Sequence, residues 1–284
     1  MPFNYNMGYN HTLYISYAKG DFLMILDKIV EAKIMEVEQA KQRKPISLLL
    51  EEIKYSTPTR DFIYALMPRE PSIITEIKRH SPSRGPIWED LKPSELAQRY
   101  EKAGASAISV LTDTRFFHGS LEDLQQVHES VSIPCLRKEF VIDEYQIYES
   151  RVSNADSLLL IVRILSKEQL KDYINLCREL GIEPLVEVHN EKEVEQAINA
   201  NAKVIGINNR DLDNLIVDME TTIRLKKIVP DDYIVVSESG ISQPQTIQRF
   251  YELGVQAFLI GESVLHSRNP EQFIPWLLGK GALI

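Results

Sequence analysis

Several apolar runs of this chain end in, or contain, a side chain that can carry charge. Lys78 closes the run IITEIK, Lys138 closes IPCLRK, Glu187 lies in EPLVEV and Glu238 lies in VVSES. Amines and carboxylates that converge on one place can give and take protons, and their grouping shifts each pKa toward that work. Because βα barrels carry their active sites at the carboxyl ends of their strands, the pattern predicts an enzyme.

The elements that must position these groups are eight apolar segments that alternate with helical ones. The predicted strands are residues 73–78, 107–112, 133–138, 157–162, 183–188, 203–208, 234–238 and 257–261. Eight strands close a (β/α)8 TIM barrel, and their near-continuous hydrophobicity suits a parallel sheet covered by helices. A doubly wound open sheet is the alternative, but neither GxGxxG nor GxxxxGK[ST] follows any strand.

A local repeat supports the barrel. KAGASAISVLT, SNADSLLLIV, ANAKVIGIN and ELGVQAFLIG each place a small or turn-forming residue after a helical segment and then an apolar strand. Each segment is typical of an αβ junction, with the turn residue close to the end of the helix.

Extra helices are predicted before the first strand. Apolar residues spaced by three and four predict an amphipathic helix over 23–43, namely Leu23, Leu26, Val30, Ile34 and Val37. Thr57-Pro58 before RDFIYALM predicts the start of a second helix, since threonine can cap and proline is tolerated at the first position. Residues 1–22 lack periodicity and are interpreted as a poorly ordered or family-variable extension, which leaves 23–284 as one barrel domain that includes N-terminal helices over 23–67.

Alternation along a strand decides which side chains face the barrel mouth. Residues two apart share a face, so Glu76 and Lys78 point inward if Ile73 and Ile77 face the helices. The same rule directs Lys138, Glu187, Asn208 and Glu238 inward, on four further strands. A structural ion pair is the alternative for any one pair, but the convergence of the whole set favours acid–base chemistry.

Glycine-containing loops follow the last two strands. The segments ESGIS (residues 238–242) and IGESV (residues 260–264) bring backbone amides close to a ligand, and barrels often bind phosphate there. The loop Ser81-Pro82-Ser83-Arg84-Gly85 offers hydroxyl and cationic donors to an anionic substrate. The six histidines form no metal-binding spacing, so surface or packing roles are expected for all of them.

Composition restricts the partners. The chain has 284 residues, of which 44% are hydrophobic and 26% charged, and its formal net charge of −9 argues against nucleic acid or an anionic membrane as its main partner. Cys135 and Cys177 suggest neither a disulfide framework nor a thiolate zinc site. With no apolar run long enough to cross a bilayer, a cytoplasmic protein is expected.

At this point the motifs resemble those of the indole-3-glycerol-phosphate synthase family. They are SIITEIKRHSPSRGPI, SVLTDTRFFHGSLEDL, PCLRKEFVIDEYQIYESR, IGINNRDL, VSESGI and FLIGES, in that order along the chain. The resemblance implies ring closure of 1-(2-carboxyphenylamino)-1-deoxyribulose 5-phosphate, with loss of carbon dioxide and water, in tryptophan biosynthesis. It implies neither an organic cofactor nor a metal.

The resemblance also implies roles for individual residues. Lys138 is then the general acid, Glu187 assists dehydration, Glu76 orients the substrate or acts as a base, and Lys78 contacts anionic groups or protonates the leaving hydroxyl. The remaining matched positions are implied to hold substrate: Asn208 and Glu238 as positioning members of the catalytic set, Arg210 and Ser81 at the anthranilate carboxylate, Ser239, Gly240, Gly261 and Glu262 at the phosphate, and Phe117, Leu159 and Ile161 at the aromatic ring.

Two rival readings remain. A barrel similar to phosphoribosylanthranilate isomerase shares the fold and the phosphate turns, but expects a catalytic cysteine and aspartate where this chain has Glu76 and Lys138. A barrel that has lost catalysis and serves as a binding subunit is disfavoured by retention of every acid and base. A monomer or weak homo-oligomer that binds a small phosphorylated molecule is expected.

Overall fold

The eight predicted strands close into one parallel barrel. The computed structural model describes residues 25–67, 70–82 and 84–282. The strands are β1 (Ser72–Ile77), β2 (His80–Ser81), β3 (Gly85–Pro86), β4 (Ala107–Leu111), β5 (Cys135–Lys138), β6 (Ser157–Ile161), β7 (Leu185–Val188), β8 (Val204–Asn208), β9 (Ile234–Glu238) and β10 (Ala257–Ile260). The barrel runs from β1 through β4 to β10 in chain order and closes by pairing of β10 with β1, while β2 and β3 form a separate short hairpin. The predicted TIM barrel is confirmed, and each barrel strand begins and ends within two residues of its predicted bounds.

Helices alternate with these strands. They are α1 (Ile25–Arg43), α2 (Ile46–Ile53), α3 (Phe62–Ala65), α4 (Pro93–Lys102), α5 (Thr114–Phe117), α6 (Leu121–Ser130), α7 (Glu144–Val152), α8 (Lys167–Glu179), α9 (Glu191–Asn199), α10 (Glu220–Lys226), α11 (Pro244–Glu252), α12 (Glu262–Ser267) and α13 (Pro270–Leu277). A 3₁₀ turn, Val162–Ile164, follows β6. None of the helices in the described ranges is long and apolar enough to cross a membrane.

The repeated junctions have the geometry that their sequences predict. Gly104, Asn154, Asn201 and Gly254 have φ values of 99°, 61°, 63° and 88°. A left-handed residue there ends the helix, and glycine and asparagine adopt that conformation at least cost. The chain then enters the next strand.

The N-terminal helices differ from the prediction in three ways. Thr57 does not cap a helix: Asp61 does, its carboxylate accepting from the amide of Tyr64, and α3 is a single turn. Helix α2 was not predicted, because its eight residues are too few for a clear periodic pattern. In α1, Ile34 is 45% exposed, and the buried face carries Leu26, Ile29, Ala32, Lys33 and Val37 instead. Leu23 and the extension 1–22 lie outside the described residues.

One apolar layer fills the inside of the barrel, and a second lies between the strands and the surrounding helices. Ile74, Leu136, Leu185 and Val236 belong to the cluster inside the barrel, whereas Ile73, Ile77 and the other outward strand residues pack under the helices. Phe62 and Leu66, from α3 and the residue after it, join the inner cluster next to the start of β1. They close the amino-terminal end of the barrel with apolar side chains and leave the opposite end for polar groups.

A buried lysine ties α1 to the barrel. The Nζ of Lys33 lies 3.0 Å from Asp113 Oδ2, 3.0 Å from Glu139 Oε1 and 2.6 Å from Glu36 Oε2. Burial lowers the pKa of Lys33, but the surrounding carboxylates outweigh burial and raise the pKa well above its usual value. Asp113 caps α5, and Glu139 follows Lys138 in the chain, so α1 is anchored beside the elements of the barrel mouth.

Candidate active site

The strand ends bring five polar side chains into the barrel mouth. Residues two positions earlier on β1, β5, β7 and β9 lie in the inner apolar cluster, so the alternation that places them inside also turns the following polar residues inward. The five side chains are those of Glu76, Lys138, Glu187, Asn208 and Glu238. The three glutamates and the asparagine are buried, and the Lys138 side chain is 14% exposed. The predicted convergence is observed.

Lys138 lies at the centre of these carboxylates. Its Nζ is 3.2 Å from Glu238 Oε2 and 3.5 Å from Glu187 Oε2. Next to it, Lys78 Nζ donates to Glu76 Oε1 at 2.7 Å. Two ammonium groups and three carboxylates thus share one end of the barrel.

The crowding shifts the pKa values of these groups. Burial alone lowers the pKa of Lys138, but Glu238, Glu187 and Glu76 outweigh burial and raise it, so the amine stays protonated. Burial raises the pKa of Glu76 and of Glu187, but nearby cations outweigh burial at both. Lys78 and Lys138 lower the pKa of Glu76. Lys138 and His189 lower the pKa of Glu187 to about 2. Both carboxyls are therefore ionised at neutral pH.

The pKa of Glu238 is shifted in the opposite direction from that of the other two glutamates. Burial, opposed by Lys138 and reinforced by Glu187, raises the pKa of Glu238 to about 7. Its Oε1 is buried and has no hydrogen-bond partner among the residues that the structure describes. Glu238 therefore exchanges a proton near neutral pH, whereas Glu187, on the other side of Lys138, remains a carboxylate.

Two glycines make room for this arrangement. A Cβ on Gly206 of β8 would lie 2.2 Å from Glu238 Oε1, and a Cβ on Gly261 would lie 2.5 Å from Glu76 Oε1. Both distances are shorter than any tolerated contact, so a side chain at either position would displace a carboxylate. The glycines allow the charged groups to pack against neighbouring backbone.

A cavity opens beside these side chains toward the loops after β9 and β10. Its volume is about 550 Å³. Its lining includes Glu76, Lys78, Arg84, Lys138, Arg210, Val217, Glu238, Ser239, Gly240, Ile241, Ser242, Gly261, Glu262, Ser263 and His266. The predicted phosphate residues Ser239, Gly240, Gly261 and Glu262 thus line the same cavity as the catalytic candidates. Ser239 and Gly240 both have positive φ, 66° and 81°, which turns the loop sharply after β9.

Asn208 and Asn209 connect β8 to β9. Asn208 Oδ1 accepts from Ser239 Oγ at 2.8 Å and from the amide of Arg210 at 3.0 Å. Asn209 Nδ2 donates to the carbonyl oxygens of Glu238 and Ser239, at 3.0 Å and 3.1 Å. Sequence reasoning did not identify Asn209, which fixes the backbone on which Glu238 stands.

The two arginines that line the cavity pair with Glu262. Arg84 Nη2 lies 2.6 Å from Glu262 Oε1, and Arg210 Nη2 lies 3.9 Å from Glu262 Oε2. Arg210 Nη1 also donates to the carbonyl of Leu215 at 3.0 Å. Both guanidinium groups therefore lie in the cavity lining beside the Glu262 carboxylate.

The predicted aromatic wall is separate from the cavity lining. Leu159 and Ile161 are 3% and 2% exposed within the inner cluster, against which Phe140 packs. Phe117, in α5, has its ring centroid 6.0 Å from that of Phe140. Ser81 lies buried in β2. Phe117, Leu159, Ile161 and Ser81 are not among the residues that line the cavity, and Phe117 is linked to the inner cluster through its ring contact with Phe140.

One histidine departs from the expected surface and packing roles. His189 Nε2 lies 3.2 Å from Glu187 Oε1, and the side chain is 9% exposed. The prediction is wrong for His189, because the same two-residue alternation that turns Glu187 inward continues past the end of β7. Within the described ranges, no group of three or more His, Cys, Asp and Glu side chains is arranged to hold a metal ion.

These observations define a class: a (β/α)8 barrel enzyme with an acid–base cluster in its mouth beside glycine-containing loops suited to an anion. A family profile described as indole-3-glycerol phosphate synthase matches residues 26–277. The chain belongs to the indole-3-glycerol phosphate synthase family, whose curated members are decarboxylating lyases.

Individual relatives agree with the family profile. Indole-3-glycerol phosphate synthase of Polaromonas sp. strain JS666 is 42% identical over 90% of this chain and 98% of its own length. The protein of that name from Chlorobaculum tepidum is 44% identical, covering 87% of this chain and 98% of itself, and that from Desulfosudis oleivorans is 45% identical, covering 89% and 98%.

A solved structure resembles the fold at much lower identity. The N-acetylmannosamine-6-phosphate 2-epimerase from Clostridium perfringens has a TM-score of 0.56 and 15% sequence identity, over 75% of this chain and 95% of its own. That likeness supports the barrel fold and nothing finer.

Proposed function

We propose that this chain converts 1-(2-carboxyphenylamino)-1-deoxyribulose 5-phosphate into indole-3-glycerol phosphate, with release of carbon dioxide and water, in tryptophan biosynthesis. The observation that carries the proposal is the Lys138 ammonium between Glu187 and Glu238, in a cavity that continues into the loops after β9 and β10. Family membership supplies the substrate, and the geometry supports proton transfer at its carbonyl.

In the first step Lys138 acts as the general acid. The aromatic carbon that bears the carboxylate attacks the ketone carbon of the sugar, and the carbonyl oxygen takes the Lys138 proton as the new carbon–carbon bond forms. The carboxyl group then leaves as carbon dioxide, and the electrons of its bond restore the aromatic ring. Because a nascent alkoxide is more basic than an amine, proton transfer is favourable even from a lysine with a raised pKa.

In the second step the new five-membered ring loses water. The hydroxyl formed from the ketone leaves with a proton from Lys78, and the neighbouring ring carbon gives its proton to Glu187. Glu187 suits a base because its carboxylate is ionised at neutral pH, and Lys78 is held within the cavity by Glu76 at 2.7 Å. Glu76 and Asn208 orient the substrate, and Glu238 positions Lys138.

The ends of the substrate have different partners. Phosphate is proposed to bind the backbone of Ser239, Gly240, Gly261 and Glu262, where glycines allow close approach. The anthranilate carboxylate is proposed to meet Arg210 in the cavity and Ser81 outside its lining. The aromatic ring is proposed to lie toward Phe117, Leu159 and Ile161, which are also outside the lining. A forked guanidinium binds a carboxylate through two parallel hydrogen bonds.

The test is turnover of the carboxyphenylamino substrate, followed by indole fluorescence. Lys138→Met is expected to fold and to lose about 10²–10⁴-fold in kcat, the usual contribution of a positioned acid. Lys226→Met is the matched control: Lys226 is also buried, in α10, but its Nζ contacts Asp231, away from the cavity. Wild-type turnover by Lys138→Met would reject the assignment, and absence of turnover by the unaltered chain would favour an isomerase-like or non-catalytic barrel.

We also propose that the chain acts in the cytoplasm as a monomer or weak homo-oligomer. Cys135 and Cys177 are buried free thiols, which suits a reducing compartment. Sedimentation at several protein concentrations and cell fractionation test the two parts of this proposal.

A further inference from the structure

His189 lies between two carboxylates at the end of β7. Its Nε2 is 3.2 Å from Glu187 Oε1, and its Nδ1 is 3.1 Å from Glu193 Oε2. Glu187 Oε2, in turn, lies 3.5 Å from Lys138 Nζ. Glu193, His189, Glu187 and Lys138 thus form a chain of alternating acidic and basic groups that reaches the proposed reaction centre.

The outer end of this chain is held rigidly by the start of α9. Asn190 caps the helix: its Oδ1 accepts from the Glu193 amide at 3.1 Å, and its Nδ2 donates to Glu193 Oε1 at 2.7 Å. The amide of His189 donates to Glu193 Oε2 at 2.7 Å. Glu193 therefore has little freedom, and it fixes the imidazole ring in turn.

Each oxygen of Glu187 faces its own cation. Oε1 is directed to His189 and Oε2 to Lys138, so a rotation of the carboxylate would lose at least one contact. Asn208 also interacts with the Glu187 carboxylate, so Glu187 is held by Lys138 and Asn208 as well as by His189. The imidazole supplies the contact at Oε1.

We propose that His189 is a positioning residue, an imidazolium held between Glu193 and Glu187 that keeps the Glu187 carboxylate charged and oriented for proton removal. This inference rests on the proposed function, which assigns Glu187 as a base. His189 itself touches neither substrate nor the reacting atoms; it acts through Glu187.

The electrostatic surroundings agree with the geometry. Burial lowers the pKa of His189, but Glu187 and Glu193 outweigh burial and raise the pKa to about 10. Asp211, in the loop after β8, also interacts electrostatically with His189. Two cations also act on the acids that flank His189. Lys138 pairs with Glu187, and Arg163 interacts electrostatically with Glu193.

The alternative is that His189 and Glu193 only stabilise the start of α9. The two interpretations differ in what Glu193→Gln does. In the positioning interpretation, loss of the Glu193 charge weakens the hold on His189 and lowers turnover, although Glu193 lies outside the cavity lining. In the structural interpretation, stability falls while turnover per folded molecule stays unchanged.

The experiment combines imidazole ¹⁵N NMR with kinetics. In the wild-type chain His189 is expected to stay doubly protonated through pH 8, with its signals assigned by their absence in His189→Gln. In Glu187→Gln and Glu193→Gln its titration midpoint is expected to fall by at least one pH unit. His189→Gln is expected to lower kcat about tenfold with little change in KM, and Glu193→Gln to lower kcat by a smaller factor.

His128→Gln is the matched control. His128 is a second histidine beside a buried acid, its Nε2 3.7 Å from Asp156 Oδ1, but Asp156 precedes β6 at the other end of the barrel. Its replacement should leave kcat unchanged.

Titration of His189 near an ordinary histidine value would overturn the proposal whether or not the chain is active. Wild-type kcat in His189→Gln, or in a Glu193→Gln variant whose His189 midpoint has fallen, would also overturn it. If the wild-type chain lacks turnover, the proposed function has failed, and the NMR arm still decides whether the charged clamp exists. If His189→Gln does not fold, Glu193→Gln carries the kinetic test.

Discussion

Replacement of Glu238 by glutamine tests the electrostatics of the barrel mouth directly. Glu238 is 1% exposed, and its pKa is raised from 4.5 to about 7. Each pKa unit corresponds to about 1.4 kcal/mol, so ionisation of this carboxyl in the folded chain costs on the order of 3 kcal/mol. Glutamine has the shape of the protonated carboxyl and never ionises.

The sign of the effect follows from where the proton is bound. Between about pH 4.5 and pH 7 the folded chain keeps the Glu238 proton, whereas the unfolded chain has lost it. Rising pH therefore favours the unfolded state over this range, and above pH 7 both states are ionised and the loss is complete. As pH rises from 5 to 8, the free energy of unfolding of Glu238→Gln is expected to increase relative to that of wild type by on the order of 3 kcal/mol.

The measurement is urea unfolding of both chains at half-unit steps of pH. The wild-type free energy of unfolding is subtracted from that of Glu238→Gln at each pH. This subtraction removes the contribution of His189, whose raised pKa lowers stability in both chains as pH rises from 6.5 toward about 10. Glu95→Gln is the control, since the Glu95 side chain is 66% exposed on α4. A difference between Glu238→Gln and wild type that stays flat, or shrinks as pH rises, would refute the reasoning.

Three further predictions follow from named contacts. Lys78→Ala should lower kcat and raise KM together, because Lys78 lies in the substrate cavity and serves in dehydration; unchanged values of both would make Lys78 structural. Gly206→Ala should lower kcat at least tenfold with a folded chain, since the new methyl group overlaps Glu238, and a crystal structure showing Glu238 unmoved would contradict this. Lys33→Met should cost about 3–5 kcal/mol in urea unfolding, because it leaves the buried Asp113 without its cation and Glu139 with only the more distant Arg137, and a loss below about 1 kcal/mol would show that these carboxyl groups are hydrated or protonated instead.

The sequence was sufficient for the barrel and for the polar residues at its strand ends. A parallel strand buried on both faces is a nearly continuous apolar run, and a two-residue step along it identifies the inward side chains. Glu76, Lys138 and Glu187 follow from these two rules, because each lies at, or next to, the end of its strand.

The features that escaped prediction depend on contacts that the strand pattern does not specify. His189 lies one residue past the end of β7, and its partner Glu193 belongs to the next helix. Lys33 was not among the buried positions predicted for α1, and its partners Asp113 and Glu139 come from elements much later in the chain. Asp61 and Thr57 are both acceptable caps, and the structure begins the helix after Asp61, where Phe62 packs inside the barrel.

Charge balance in the barrel mouth explains why a chain with a net charge of −9 can receive an anionic substrate. Above about pH 7, where Glu238 is ionised, the Glu76, Glu187 and Glu238 carboxylates are matched there by Lys78, Lys138 and His189, each within 3.5 Å of an acid. In the proposed reaction Lys138 and Lys78 each give one proton to the substrate and Glu187 takes one back, so the cluster carries one positive charge less at the end until a proton from solvent replaces it. Loss of any one cation leaves the mouth negative, and substrate binding should weaken along with the chemistry wherever that cation also faces the cavity. Lys78 faces the cavity and His189 does not, which is why the two substitutions are expected to differ in KM although both remove one positive charge.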